Sequence, residues 1–85
     1  DTRNLLRGHN IVMYPNPMGN VLNILTNGPV GIKIYDISGR LVVRVKANQT
    51  HKGLNQLDVS LLPAGIYNFK VTYEGNTSTA KLLKK

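Results

Sequence analysis

Apolar and polar residues alternate with a period of two along most of the chain, a pattern typical of β-strands that bury one face. The alternation is clearest from Val30 to Tyr35, where aliphatic side chains at every second position are separated by Gly31 and Lys33. No stretch shows the 3.6-residue period of an amphipathic helix. The pattern therefore predicts an all-β protein.

Seven segments carry this alternation, and turn-forming residues separate them. The predicted strands are Ile11–Tyr14, Val21–Thr26, Val30–Tyr35, Leu41–Ala47, Leu54–Val59, Ile66–Tyr73 and Thr77–Lys84. The connecting sequences are rich in Gly, Pro, Asn and Asp, which favour turns for separate stereochemical reasons. Seven short strands joined by turns predict an antiparallel immunoglobulin-like β-sandwich. A five-stranded barrel fits less well because the strand count is too high.

The first ten residues differ from the remainder of the chain. They are mostly polar, with Leu5 and Leu6 as their apolar residues. We interpret residues 1–10 as a loosely ordered linker or leader and residues 11–85 as one small β-sandwich domain. Because the sequence does not begin with Met, we expect a fragment or a processed piece of a longer protein, in which targeting information could lie upstream.

A tyrosine corner is predicted before the penultimate strand, in the segment from Pro63 to Tyr67. In such a corner a Tyr near the start of a strand donates a hydrogen bond to the backbone of the preceding loop. Pro63 restricts φ in this loop, and Gly65 accommodates the bend that follows. We therefore assign Pro63, Gly65 and Tyr67 a structural role.

The segment Asp36 to Arg40 has the residues of a tight turn. The carboxylate of Asp36 can accept hydrogen bonds from the turn backbone, Gly39 completes the reversal, and Arg40 is placed to pair with Asp36. Ser38, His51 and Asp36 supply the residue types of a Ser–His–Asp triad. No nucleophile elbow surrounds the serine, so we do not expect them to form a catalytic triad. The chain has no Cys and only two distant His residues, which is not a zinc-binding spacing. We expect neither enzymatic activity nor a metal or other cofactor.

The net charge of +7, from 11 Lys and Arg against 4 Asp and Glu, favours an anionic partner such as nucleic acid, lipopolysaccharide or an acidic protein. A simpler explanation is a solubilising surface with protected sheet edges, because many cations fall at polar strand positions. These cations are Lys33, Arg44, Lys46, Lys70 and Lys81.

Four motifs follow one another between residues 11 and 85, and each is weak by itself. They are Val12–Pro17, which contains Tyr14-Pro15-Asn16-Pro17, then Ile34–Val42, Leu57–Tyr67 and the final Lys81-Leu82-Leu83-Lys84-Lys85. In this order and at this spacing they resemble the C-terminal sorting domain of type IX secretion cargo in Bacteroidetes.

The resemblance implies a route for the protein that carries the domain. The cargo enters the periplasm by a signal peptide and crosses the outer membrane through the type IX translocon, helped by outer-membrane shuttle proteins. In many members of the family a surface sortase removes the domain upstream of the sandwich, and the cargo is then attached to anionic lipopolysaccharide. In this chain such a cut would fall in residues 1–10 or before Asp1, and the sequence leaves open whether the domain is cleaved or retained. The expected location is the periplasm in transit, followed by the outer membrane surface or the medium.

The last five residues are the predicted recognition segment for the translocon. Their strand would offer main-chain groups together with the charges of Lys81, Lys84 and Lys85, and an exposed final strand would also allow a dimer.

Two alternatives to a sorting function remain open. One is an immunoglobulin-like binding or spacer module of a surface protein, for which the absence of Trp is unfavourable if the ligand is a sugar. The other, a basic nucleic-acid binder, is less favoured, and we expect no nucleic-acid partner.

Overall fold

The computed structural model describes residues 4–6 and 11–85. Within them the chain forms eight strands and one short turn of 3-10 helix at Ala47–Gln49. The strands are β1 (Asn4–Leu6), β2 (Ile11–Tyr14), β3 (Val21–Thr26), β4 (Gly31–Tyr35), β5 (Leu41–Val45), β6 (Gly53–Asp58), β7 (Gly65–Tyr73) and β8 (Asn76–Lys84). Strands β2 to β8 match the seven predicted strands to within two residues at each end. No helix of the described residues is long and apolar enough to cross a membrane.

The strands form two four-stranded sheets that pack face to face. The first sheet has the order β1-β2-β3-β6, and the second has the order β5-β4-β7-β8. Every neighbouring pair of strands is antiparallel. The predicted all-β antiparallel sandwich is therefore confirmed.

One apolar core lies between the sheets and is built from the alternate residues that point inward. The first sheet contributes Ile11, Met13, Leu22 and Ile24, and the second contributes Ile32, Ile34, Phe69, Val71 and Leu82, all of them at most 1% exposed. Burial of each such side chain contributes about 1.5–3 kcal/mol relative to leaving it exposed. The chain has no disulfide, so this core is the main source of its stability.

Strand β1 was not predicted from the sequence. It pairs with β2 over three residues, with Leu5 opposite Val12, and it lies beside β8 of the other sheet. The middle of the predicted leader therefore belongs to a sheet. Residues 1–3 and 7–10, on which the rest of the predicted loose leader falls, lie outside the described residues.

The predicted tyrosine corner is present at the start of β7. The hydroxyl of Tyr67 donates a hydrogen bond to the carbonyl oxygen of Pro63 at 2.6 Å, and the ring is 5% exposed. Gly65 has a φ of +154°, a conformation that residues with a Cβ rarely adopt. This corner fixes the entry to β7 and, through the β7–β8 hairpin, the position of the end of β8.

Candidate functional site

The first and last motifs of the sequence lie side by side. The main-chain N–H of Met18 donates to the carbonyl oxygen of Leu83 at 2.6 Å, and the N–H of Lys85 donates to the carbonyl oxygen of Met18 at 3.0 Å. The side-chain oxygen of Asn16 also accepts a hydrogen bond from the N–H of Leu83 at 2.9 Å. We call the arrangement of Asn16, Met18, Leu83 and Lys85 the terminal clasp.

The sequence between β2 and β3 explains why the clasp forms. Pro15 and Pro17 have no N–H, so the chain cannot continue the ladder of the first sheet beyond Tyr14. The peptide bonds before both prolines are cis. The chain leaves the first sheet here, and the fully buried side chain of Met18 anchors it against the core next to Lys84 of the second sheet.

The five predicted recognition residues alternate between buried and exposed positions. Leu82 belongs to the core and is 1% exposed, and Lys84 is 7% exposed with its Nζ 3.4 Å from the main-chain oxygen of Lys85. A lysine can bury its aliphatic stem in this way while its ammonium reaches a polar group. Lys81, Leu83 and Lys85 are exposed. The segment therefore exposes three of its five side chains to solvent.

The clasp also engages the main chain of this segment. Leu83 donates its N–H to Asn16, and its carbonyl oxygen accepts from Met18. A partner that adds a strand to a sheet edge needs such groups to be available. At Leu83 they are occupied, so Leu83 is accessible through its side chain rather than through its main-chain groups.

The second motif forms the predicted turn between β4 and β5. One carboxylate oxygen of Asp36 accepts hydrogen bonds from the hydroxyl of Ser38 at 2.7 Å and from the N–H groups of Ser38 and Arg40 at 3.0 Å; the other lies 3.0 Å from Nε of Arg40. These hydrogen bonds lower the pKa of Asp36 to about 2, and the bond from the Ser38 hydroxyl has the largest effect. Nδ1 of His51 contacts the carbonyl oxygen of Lys52 at 2.9 Å. The Ser–His–Asp set is therefore not assembled through hydrogen bonds to His51.

A groove of about 620 Å³ lies between the edge strands β5 and β6, and the sequence did not predict it. Its lining includes the apolar side chains of Ile24, Ile32 and Leu57 and the polar side chains of Arg44 and His51. Among the described residues, no cluster of three or more His, Asp or Glu could hold a metal ion. The groove is thus a cleft of mixed character, lined by apolar and polar side chains in equal number.

A model of the family described as the secretion system C-terminal sorting domain matches residues 12–85. The chain belongs to the type IX secretion system C-terminal sorting domain family. No curated protein matched the chain. The match spans the clasp, the turn and the tyrosine corner, so the resemblance drawn from the four motifs is confirmed. As a sorting domain, the protein acts as a C-terminal signal for secretion across the outer membrane.

The motifs of this sorting domain occupy structural positions in the sandwich. Tyr14, Pro15, Asn16 and Pro17 lead into the clasp, Asp36, Gly39 and Arg40 form a turn, and Pro63, Gly65 and Tyr67 form the corner. What sequence reasoning missed is the direct bond between the first motif and the last. Their joint occurrence in one chain was the available signal for that contact.

Proposed function

We propose that this sorting domain is read by the type IX translocon, and by the shuttle proteins that work with it, through the three side chains exposed near the clasp. Lys81, Leu83 and Lys85 occupy every second position, so they project from the same side of the strand about 7 Å apart. With one lysine on each side of Leu83, the segment suits a partner surface that has acidic groups around an apolar depression. The observation that carries this proposal is the clasp, which holds the segment in one position.

A recognition segment that the fold holds in one conformation has an entropic advantage in binding over a disordered tail. A disordered tail loses conformational entropy when a receptor orders it, whereas a segment already held by the fold does not. Leu82 and Lys84 contribute by anchoring the strand from inside. We therefore assign recognition to Lys81, Leu83 and Lys85, and support of the segment to Leu82 and Lys84.

Processing belongs to the proposed route as well. A surface sortase would cut within residues 1–10 or before Asp1, and the passenger would then be attached to anionic lipopolysaccharide or released from the surface. A cut between Asn4 and Leu6 requires β1 to leave β2, because proteases bind substrates as extended strands whose backbone is accessible. The domain itself has no catalytic part in these steps and binds no nucleic acid.

Export of a reporter tests the recognition proposal. Residues 1–85 are fused to a periplasmic reporter in a host with a working type IX system, and the test variant is Lys81→Ala/Leu83→Ala. The matched control is Lys52→Ala/Leu54→Ala, which has the same residue types at the same spacing, with Leu54 and Leu83 both 44% exposed. We expect the control to reach the cell surface and the test variant to accumulate in the periplasm while its domain remains folded.

Equal export of the two double variants would refute recognition through this segment. A loss of folding in the test variant, detected by circular dichroism of the isolated domain, would refute the division of roles between exposed and buried residues. Removal of Lys81–Lys85 as a block is a less selective test, because it also deletes the core residue Leu82.

The groove between β5 and β6 favours a second candidate function, that of a binding or spacer module in a surface protein. Its volume falls in the range of small-molecule sites. Under this alternative the reporter fusion would not be exported even with the wild-type sequence. The dimer through the terminal strand also stays a prediction, and the clasp limits strand addition to the part of β8 that precedes Leu83.

A further inference from the structure

Five cations lie on the outward side of the second sheet, and we call them the basic face. They are Lys33 on β4, Arg44 on β5, Lys46 just after β5, Lys70 on β7 and Lys81 on β8, all of them exposed. Lys33 is the direct cross-strand partner of Arg44 on one side and of Lys70 on the other. Lys33, Arg44, Lys46 and Lys70 line one shallow groove of about 240 Å³.

The basic face has no counter-charge among the described residues. The described carboxylates are Asp36, held by Arg40 in the β4–β5 turn, Asp58 in the first sheet, and Glu74 in the β7–β8 turn. Like charges directly opposite each other on neighbouring strands destabilise a sheet. The second sheet therefore carries a self-repulsion that its fold does not require.

Protection of sheet edges does not explain this arrangement. Lysines that prevent edge-to-edge aggregation are needed on edge strands, which are β5 and β8 in the second sheet. Lys33 and Lys70, by contrast, lie opposite each other on the two central strands. General solubility does not require this either, because it is served equally well by charges that alternate in sign or are spread over the surface.

We propose that the basic face docks on a membrane surface and that its ligands are the phosphate groups of anionic lipids. The cations form a flat array on adjacent strands about 4.8 Å apart, which suits many headgroups rather than one deep site. Four of the five are lysines, which act as point charges without the fixed bidentate geometry of Arg. Lysine is depleted in protein–protein interfaces, so this composition favours lipid over an acidic protein.

Apolar residues on the same face support a membrane surface. Ile66 and Leu83 are direct cross-strand partners and are 41% and 44% exposed. Tyr35 is level with Asn68 and Lys81 in the register of the sheet, and Nζ of Lys70 lies 5.3 Å from its ring centroid. Surfaces that bind membranes peripherally combine cations with aliphatic and aromatic groups that enter the interfacial region.

Binding to lipid vesicles tests this proposal with the 85-residue chain alone, so its outcome is independent of export. Co-sedimentation is measured with phosphatidylcholine vesicles that contain or lack phosphatidylglycerol. A basic residue next to an anionic membrane strengthens binding about fivefold, so we expect Lys33→Gln to weaken binding by about that factor and Lys33→Gln/Lys70→Gln by about twenty-five-fold. The control Lys52→Gln removes the same charge from an exposed position outside the basic face, and we expect less than about a twofold change because that side chain does not meet the membrane.

Several results would overturn the proposal. Equal binding to both vesicle types would remove the role of anionic lipid, and equal weakening by Lys33→Gln and Lys52→Gln would indicate net charge rather than a defined face. Competition by dilute inorganic phosphate would indicate a discrete anion site, and binding to polyglutamate but not to vesicles would indicate an acidic protein partner. Thermal unfolding of Lys33→Gln serves as a folding check, and we expect its stability to be unchanged or raised because a repulsion is removed.

Discussion

The side-chain oxygen of Asn16 accepts a hydrogen bond of 2.9 Å from the main-chain N–H of Leu83, a residue 67 positions further along the chain. The bond joins the loop that leaves the first sheet to the last strand of the second sheet. Asn16 thereby replaces the missing neighbour strand at the edge of β8. The two motifs at the ends of the domain are thus parts of one structure.

Removal of this acceptor should loosen the end of β8. We expect Asn16→Ala to lower the free energy of unfolding by about 1 kcal/mol, the usual net contribution of one such hydrogen bond. Asn16→Asp keeps an oxygen in the same place and serves as the control. The measurements are urea denaturation and hydrogen exchange of the Leu83 amide. An Asn16→Ala variant in which that amide remains as protected as in the wild type would contradict the role assigned to the clasp.

The alternation of buried and exposed residues in the terminal segment predicts losses of stability of very different size for two adjacent leucines. Leu82→Ala leaves a cavity in the core and should lower the free energy of unfolding by about 2–4 kcal/mol. Leu83→Ala truncates a side chain that is 44% exposed, and a surface change of this kind should cost about 0.5 kcal/mol or less. Chemical denaturation of both variants checks the difference, and similar losses of stability would show that the assigned strand faces are wrong.

The tyrosine corner should contribute through its hydrogen bond as well as through its ring. Tyr67→Phe keeps the ring but leaves the carbonyl oxygen of Pro63 without the hydroxyl donor at 2.6 Å, so we expect a loss of about 1–2 kcal/mol. Tyr35→Phe is the matched control, since this half-buried ring lies on the outward face of its sheet. A loss of stability no larger for Tyr67→Phe than for Tyr35→Phe would argue against the corner.

The Asp36 turn predicts a defined dependence of stability on pH. Hydrogen bonds from Ser38 and Arg40 lower the pKa of Asp36 from its ordinary value of 3.8 to about 2 in the folded protein. The stabilisation is therefore fully present above pH 3.8 and is lost as the pH falls through about 2, because the unfolded chain takes up the proton first.

The variant Asp36→Asn should be less stable than the wild type at neutral pH. It should also lose less stability than the wild type as the pH falls from 3.8 to about 2. Thermal unfolding at a series of pH values measures this slope. Asp58→Asn is the control variant for this slope. The pKa of Asp58 is also lowered, but by hydrogen bonds from one residue, Ser60. A slope in Asp36→Asn as steep as that of the wild type would show that another group controls acid unfolding.

The strands and turns of this protein are determined locally, which is why the sequence alone predicted them. The period-two alternation from Val30 to Tyr35 identifies β4 without knowledge of its partners. The Asp36 turn and the Tyr67 corner were also predictable, because their hydrogen bonds span no more than four residues. The inward position of Leu82 follows from the same alternation.

The tertiary structure decided which distant residues meet. It placed the N–H of Leu83 on Asn16, set Lys33 between Arg44 and Lys70, and added β1 to the edge of β2. It also left Leu41 44% exposed, since a register shift beside Tyr35 interrupts the regular pairing of the edge strand β5. Local alternation defines the two faces of a strand but not its neighbour or its register. Those depend on how both sheets close around a common core, and no short stretch of sequence contains that information.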